Sequence, residues 1–173
     1  MYLLLLTEIS VIIIRKNTKW GINMKLAEAL QERADLNVKI EQLRNRLSNN
    51  ALVQEGETTA ENPTELLTEL DGAIERLREL MTRINKTNCM TEKDGITITE
   101  MIARRDALSV KIRAYRDLAT IASGTARRAM HTEIKVMSAV NVRDIQKKID
   151  EMSKELRLTD NSIQELNWQT ELI

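Results

Sequence analysis

The sequence predicts an all-α protein, an elongated antiparallel helical bundle made of coiled-coil hairpins. Three observations predict this class. Apolar side chains recur every three or four residues over most of the chain after residue 23, the spacing that gives a helix one apolar face. The 173 residues include five glycines and one proline, so helix breakers are rare. The chain has no Phe, two Trp and two Tyr, and narrow Leu, Ile, Met and Ala seams must therefore supply its core.

Residues 1–23 differ from the rest of the chain. The first 14 residues are strongly apolar apart from Glu8, and basic residues follow them. The run is shorter than the about 20 apolar residues that cross a bilayer. A signal peptide carries its positive charge before the apolar run, not after it. We expect residues 1–23 to lie outside the fold, as an extension upstream of a natural start at Met24 or, alternatively, as an N-terminal anchor. Residues 24–173 are expected to form a single helical domain.

Helix one is predicted from Met24 to Leu47 and helix two from Thr64 to Met90. Their apolar seams are Leu26, Ala29, Arg33, Leu36, Ile40, Leu43 and Leu47 in helix one, and Leu66, Leu70, Ala73, Leu77, Leu80 and Ile84 in helix two. A second line of Leu67, Ile74 and Met81 lies beside the seam of helix two. Two adjacent lines indicate a helix with two neighbours, as in a bundle.

Helix three is predicted from Ile98 to Ala122. Asp94-Gly95 is a turn pair before it, and Thr97 with Glu100 forms the Thr-x-x-Glu capping box that opens a helix. Its apolar face is Ile98, Met101, Ile102, Leu108, Ile112, Tyr115 and Ala119. The β-branched and small residues of 132–140 then predict one short extended segment, which as a strand would need a partner strand in this chain or in another copy.

Helix four is predicted from the N-cap residue Asn141 to near Glu171. Its seam is Val142, Ile145, Ile149, Met152, Leu156, Thr159, Ile163 and Leu166. Seven of these eight positions are apolar over about four heptads, the length at which a coiled-coil prediction becomes credible.

Catalytic, metal and cofactor chemistry are not predicted. The chain has one histidine, His131, and one cysteine, Cys89, too few for a Cys/His zinc site within one chain. A Cys89–His131 nucleophile and base pair is conceivable, but a structural or surface thiol is the interpretation we favour. No phosphate-binding glycine loop or nucleophile elbow occurs.

Charge is balanced overall but not locally. The chain has 26 basic and 26 acidic residues, which gives no general attraction to nucleic acid or anionic lipid. Residues 55–81 carry eight acidic and two basic side chains, and residues 98–135 carry eight basic and four acidic ones. We expect helix two to lie beside helix three, with these charges pairing across the seam. The alternative is a basic face for nucleic acid or lipid, but aromatic side chains for stacking on bases are missing there.

The seams predict a non-catalytic, cytoplasmic protein that self-assembles or acts as a scaffold, with other copies of itself as partner. A single cysteine suits a reducing compartment. No nucleic acid and no small-molecule substrate are expected. The residues expected at the interface are Leu36, Ile40, Leu43, Ile149, Met152, Leu156, Ile163 and Trp168.

From Met24 onward the chain resembles a bacterial family of small helical proteins labelled septicolysin. The stretches that carry the resemblance are Met24 to Leu36, Leu47 to Ala51, Val53 to Gly56, Ile84 to Asn88, Arg105 to Leu108, Glu133 to Lys135 and Asn167 to Leu172. The resemblance implies a helical fold, and the label implies a cytolytic protein. A membrane-associated, cytolysin-like protein is therefore the alternative function, although no segment after Met24 is apolar enough to span a bilayer.

Overall fold

A computed structural model describes residues 24–124 and 137–173, and the regular structure in this part of the chain consists of four helices and one small hairpin. The elements are α1 (Leu26–Asn49), α2 (Pro63–Met90), β1 (Glu92–Lys93), β2 (Ile96–Thr97), α3 (Ile98–Ser123) and α4 (Val142–Gln169). The predicted all-α class is confirmed. The four predicted helices lie within about two residues of their predicted ends.

The helices begin where the sequence places capping groups. Asn62 accepts a hydrogen bond from the Thr64 N–H at 3.0 Å, with Pro63 as the first helical residue of α2. The Glu100 carboxylate accepts from the Thr97 N–H at 2.8 Å, and the Thr97 hydroxyl accepts from the Glu100 N–H at 3.2 Å. This confirms the capping box predicted for α3. Such bonds satisfy N–H groups that have no partner inside a helix.

The predicted Asp94-Gly95 turn joins two strands of two residues each, which the sequence did not predict. Both turn residues have positive φ, 56° for Asp94 and 76° for Gly95, as an Asp-Gly hairpin turn requires. Glu92 pairs with Thr97 in antiparallel register. The extended segment expected at 132–140 lies partly outside the described residues, and its described part, residues 137–140, contains no strand.

The chain divides into two compact units, Met1–Thr91 with Asn167–Ile173 and Glu92–Leu166. The structure describes the first unit from Met24 onward and the second except for residues 125–136. The expectation of one domain for residues 24–173 stays a prediction.

The first unit is an antiparallel α1–α2 hairpin. Its core joins Leu43, Leu66 and Ala73, and the half-buried Leu36, Ile40, Leu47 and Leu70 pack against them. Arg76 binds Glu32 at 2.7 Å and Lys39 binds Glu69 at 2.8 Å. The residue numbers fall along α2 as they rise along α1, so these ion pairs bridge antiparallel helices.

The C-terminal tail of the chain completes the first unit. The Leu26 N–H donates to the Thr170 carbonyl at 2.9 Å, and the Leu172 N–H donates to the Met24 carbonyl at 2.8 Å. These two bonds form an antiparallel bridge beside the start of α1. Leu172 is 8% exposed, so the tail also adds an apolar side chain to the hairpin.

The second unit pairs α3 with α4. Its core joins Ile112, Ala119, Ile145, Ile149 and Met152, with the half-buried Leu108, Tyr115 and Leu156 packed against it. The Arg104 guanidinium donates from Nε to Glu155 at 2.9 Å. The apolar face predicted for α3 and the seam predicted for α4 are buried or half-buried throughout, which places one face of each helix against its neighbour.

Candidate interaction surfaces

The residues predicted at an interface fall into two groups. Seven lie buried or half-buried within the described chain: Leu36, Ile40, Leu43, Ile149, Met152, Leu156 and Ile163. Six of them belong to the two cores just described, where residues of the same chain contact them. Trp168, at 66% exposure, is open to a partner. A role for these eight residues between copies stays a prediction.

The second apolar line of α2 is half-covered. Leu67, Ile74 and Met81 follow one another at intervals of seven residues and are 50%, 47% and 46% exposed. The sequence predicted a second neighbour for this line. Within the described residues, α1 covers the seam of α2 but about half of each side chain in the line remains accessible.

An exposed apolar surface lies on α3, and we call it the α3 outer stripe. Its members are Ala103, Ala107, Val110, Ala114, Leu118 and Ile121. All six are exposed, the three larger ones at 68%, 42% and 77% in chain order. Intervals of three and four residues keep them on one side of a helix. The buried side chains of α3, such as Ile112 and Ala119, lie on the other side. The helix is thus apolar on two faces.

Sequence reasoning missed the α3 outer stripe because it assigned a single apolar face to helix three. The signal was present, since the same intervals of three and four run through both faces. Three of the six members are alanines, so the outer stripe is less conspicuous in the sequence than the opposite face of α3, which is rich in Leu and Ile.

The charges of α2 and of α3 form ion pairs with other helices inside their own units. The described ion pairs between helices join α2 to α1, as in Arg76–Glu32, and α3 to α4, as in Arg104–Glu155. The expectation that helices two and three pair their charges across a common seam concerns helices of different units and stays a prediction.

Two basic side chains border the α3 outer stripe. Lys111 lies on one side of it and Arg113 on the other, by helical spacing. The Lys111 ammonium is 6.0 Å from the centre of the Tyr115 ring, near the outer limit of a cation–π contact. Asp106, which also borders the stripe, is held by Arg105 at 2.8 Å. Near the middle of the stripe, each of its two edges therefore carries a positive charge, from Lys111 on one side and Arg113 on the other.

Carboxylate pKa values are lowered where the sequence places a donor. The pKa of Glu100 is below its usual value because the Thr97 N–H and then the Thr97 hydroxyl bind its carboxylate. The pKa of Glu69 is lowered mainly by its hydrogen bond to Lys39, and that of Glu61 by its hydrogen bond to Arg46. These groups stabilise helix starts and the α1–α2 hairpin, and none of them is a candidate acid or base catalyst.

Acid should weaken the start of α3. A carboxylate with a lowered folded-state pKa contributes stability above its unfolded value, 4.5 for Glu100, and loses it as the pH falls through the folded pKa. Glu100→Gln should therefore lower the melting temperature at pH 7, with the deficit shrinking steadily below about pH 4.5. Thermal melts followed by circular dichroism from pH 7 to pH 3 would measure it. Glu151→Gln, an exposed carboxylate of α4, is the control; an equal and pH-independent deficit in both would contradict the prediction.

Two open clefts offer little for chemistry. One, of about 330 Å³, lies at the start of α2 and is lined mainly by Arg46, Glu61, Glu65 and Glu69. Another, of about 290 Å³, lies between the hairpin turn and α4 and includes Lys93, Arg104 and Glu155. Arg46 pairs with Glu61, and Arg104 with Glu155. Cys89 is exposed, whereas His131 lies outside the described residues. Among residues 24–124 and 137–173, no three His, Cys, Asp or Glu side chains gather as metal ligands do.

With this geometry in place, comparison with known proteins gives a family. A model for a family of unknown function, DUF6847, matches residues 33–172. The chain belongs to this family. Its fold is also similar to the crystal structure of a functionally unknown conserved protein from Corynebacterium diphtheriae, with 43% identity and a TM-score of 0.79 over 87% of this chain and 99% of that one. No curated protein matches.

Membership of DUF6847 bears on the resemblance noted in the sequence. The expectation of an uncharacterised helical family is confirmed, but neither description names septicolysin or a lytic activity. Within the described part of the chain, none of the helices has the length and apolar character needed to cross a membrane.

Proposed function

We propose that this protein is a non-catalytic helical scaffold that self-associates, and that the α3 outer stripe is the surface through which it does so. Its partner is a second copy of the same chain, its location is the cytoplasm, and it uses no cofactor, nucleic acid or small-molecule substrate. The observation that carries the proposal is the row of six exposed apolar side chains from Ala103 to Ile121.

The stripe supports self-association because of its order, not only its exposure. Single exposed apolar residues are common on protein surfaces and need no explanation. Six of them at intervals of three and four form instead the seam by which helices join into coiled coils. Contact between these apolar side chains and water costs free energy, and burying them against a second helix removes that cost.

The absence of catalysis is proposed from the side chains of the clefts. The arginines that line the clefts form ion pairs with glutamates, and the carboxylates of these glutamates join neighbouring segments of the same unit. A catalytic group needs instead a free lone pair or proton directed at a substrate. The single thiol is supported as a surface group by the exposure of Cys89.

The septicolysin-like, membrane-associated alternative would use an apolar surface for lipid. We favour the second copy because a side that binds a bilayer combines an apolar face with many basic side chains, whereas two, Lys111 and Arg113, border the middle of the α3 outer stripe and Asp117 lies beside them. Flotation with anionic vesicles separates the two. Binding that is lost on Val110→Glu in the absence of any self-association would support the alternative and overturn the scaffold.

Val110→Glu should weaken self-association at least about tenfold, because it places a charge in the middle of an apolar contact. Sedimentation velocity over a range of about 1 to about 200 µM, typical for weak complexes, would measure it. Val38→Glu is a matched control, since Val38 is an exposed valine of α1 at 58% and should leave association unchanged. A wild-type chain that stays monomeric throughout this range, or equal effects of the two substitutions, would contradict the proposal.

A further inference from the structure

We infer that two copies pair their α3 helices in antiparallel orientation, about a two-fold axis level with residue 112. The inference rests on the proposed function and names the geometry of the contact. The contact uses the α3 outer stripe, whose side chains belong to neither core of the described chain. Ile112 itself lies on the opposite side of α3, in the α3–α4 core, at 3% exposure.

The sizes of the side chains along the stripe carry the argument. In the antiparallel register, Ala103 of one copy faces Ile121 of the other, and Val110 faces Ala114. Ala107 lies within one residue of the level of Leu118. Each layer then contains one alanine and one larger side chain. Facing positions that alternate small and large residues fill the space between helices evenly.

A parallel pair lacks this complementarity. Each residue would face its own copy, so three layers would contain two alanines each and the layers at Val110, Leu118 and Ile121 would contain two larger side chains each. Small layers leave gaps and large layers force the helices apart.

The area of the stripe sets the strength of the dimer. The 19 residues from Ala103 to Ile121 span about 27 Å of helix. From the exposed fractions of its six side chains, the stripe contributes on the order of 450 Å² per copy, or ~900 Å² in the dimer, below the about 1,200 Å² at which stable specific interfaces begin. The dimer is therefore weak and depends on concentration.

The charges at the edges of the stripe give the antiparallel dimer a distinctive salt response. Lys111 and Arg113 lie within one residue of the axis, so each is brought near its own copy in the partner. The repulsion is screened by salt, and the dissociation constant should fall several-fold between about 50 and about 500 mM NaCl. A parallel pair would instead place Lys111 near Asp106 of the other copy, and salt would weaken it.

Disulfide trapping tests the orientation. Val110→Cys and Ala114→Cys are made as separate variants of a full-length Cys89→Ser chain, and one of them carries a tag that changes its size. Each variant is oxidised by itself, and the two are also oxidised as a mixture. Antiparallel helices bring position 110 opposite position 114, whereas the two copies of position 110 are farther apart than the about 7 Å limit for a disulfide. We expect the mixed disulfide dimer to exceed either self-dimer by about tenfold.

The outcomes separate the geometry from the function. Self-dimers of Val110→Cys, together with tighter association at low salt, would overturn the antiparallel arrangement and leave self-association standing. Wild-type association by sedimentation with no disulfide at either position would move the contact away from the α3 outer stripe. A wild-type monomer at every concentration would overturn the proposed function itself.

Discussion

Leu43→Ala is expected to lower the free energy of unfolding of the α1–α2 unit by about 3 kcal/mol. Leu43 is 1% exposed, and it packs with Leu66 and Ala73 in the hairpin core. Removing three carbon atoms from a side chain in this position loses its transfer free energy and leaves a cavity. Leu66, level with Leu43 in this antiparallel hairpin, is itself buried at 4% exposure, so it cannot move far into the space.

Urea denaturation followed by circular dichroism would measure the loss, with Leu67→Ala as the matched control. Leu67 belongs to the same hairpin but is 50% exposed, and its truncation should cost less than about 1 kcal/mol. The denaturation curve should be fitted with a separate unfolding transition for each compact unit. Equal losses for the two leucines would mean that the seam of the hairpin does not face its core.

The helices could be predicted from the sequence because their signals are local. The Thr97–Glu100 capping box spans four residues and fixed the start of α3 at Ile98. Asn141 likewise accepts from the Arg143 N–H at 3.1 Å, as its position before α4 predicted. Caps and apolar periods depend on neighbours within one or two turns, and a single sequence contains all of that information.

The pairing of the helices could not be predicted in the same way. Acidic residues of α2 could find counter-charges on any helix that lies beside it, and the sequence predicted pairs with α3 without predicting those with α1. The structure uses α1, where Lys39 meets Glu69 and Arg46 meets Glu61. Since exposed ion pairs contribute little free energy, apolar packing selects the neighbour and the charges accommodate it.

The α3 outer stripe illustrates a different loss of information. Periodicity identifies which residues share a face, but it does not say which of two apolar faces is covered. Ala103 and Ala107 are small enough to be taken for ordinary surface residues. Because the structure buries Ile112 on the other side of α3, the stripe is the face of the helix that stays accessible. The candidate site was therefore recognised from the structure and not from the sequence.

Leu172→Ala should lower the stability of the first unit by roughly 2–3 kcal/mol, although Leu172 lies next to the last residue of the chain. The tail is tied at several points. Besides its bridge to Met24 and Leu26, the Ile173 N–H donates to the buried Thr87 hydroxyl at 3.0 Å, and Arg83 donates to the Leu172 carbonyl at 3.3 Å. These bonds hold the 8%-exposed Leu172 side chain in place.

Ile173→Ala is the control for this tail prediction, because Ile173 is 45% exposed and contributes its main chain more than its side chain. Its cost should stay below about 1 kcal/mol. Differential scanning calorimetry of both variants would compare them. Chain ends are usually the least ordered part of a domain, so an equal and negligible cost for both substitutions would mean that the tail detaches from the hairpin in solution. A large cost confined to Leu172 would instead show that the C-terminal tail packs stably beside the start of α1.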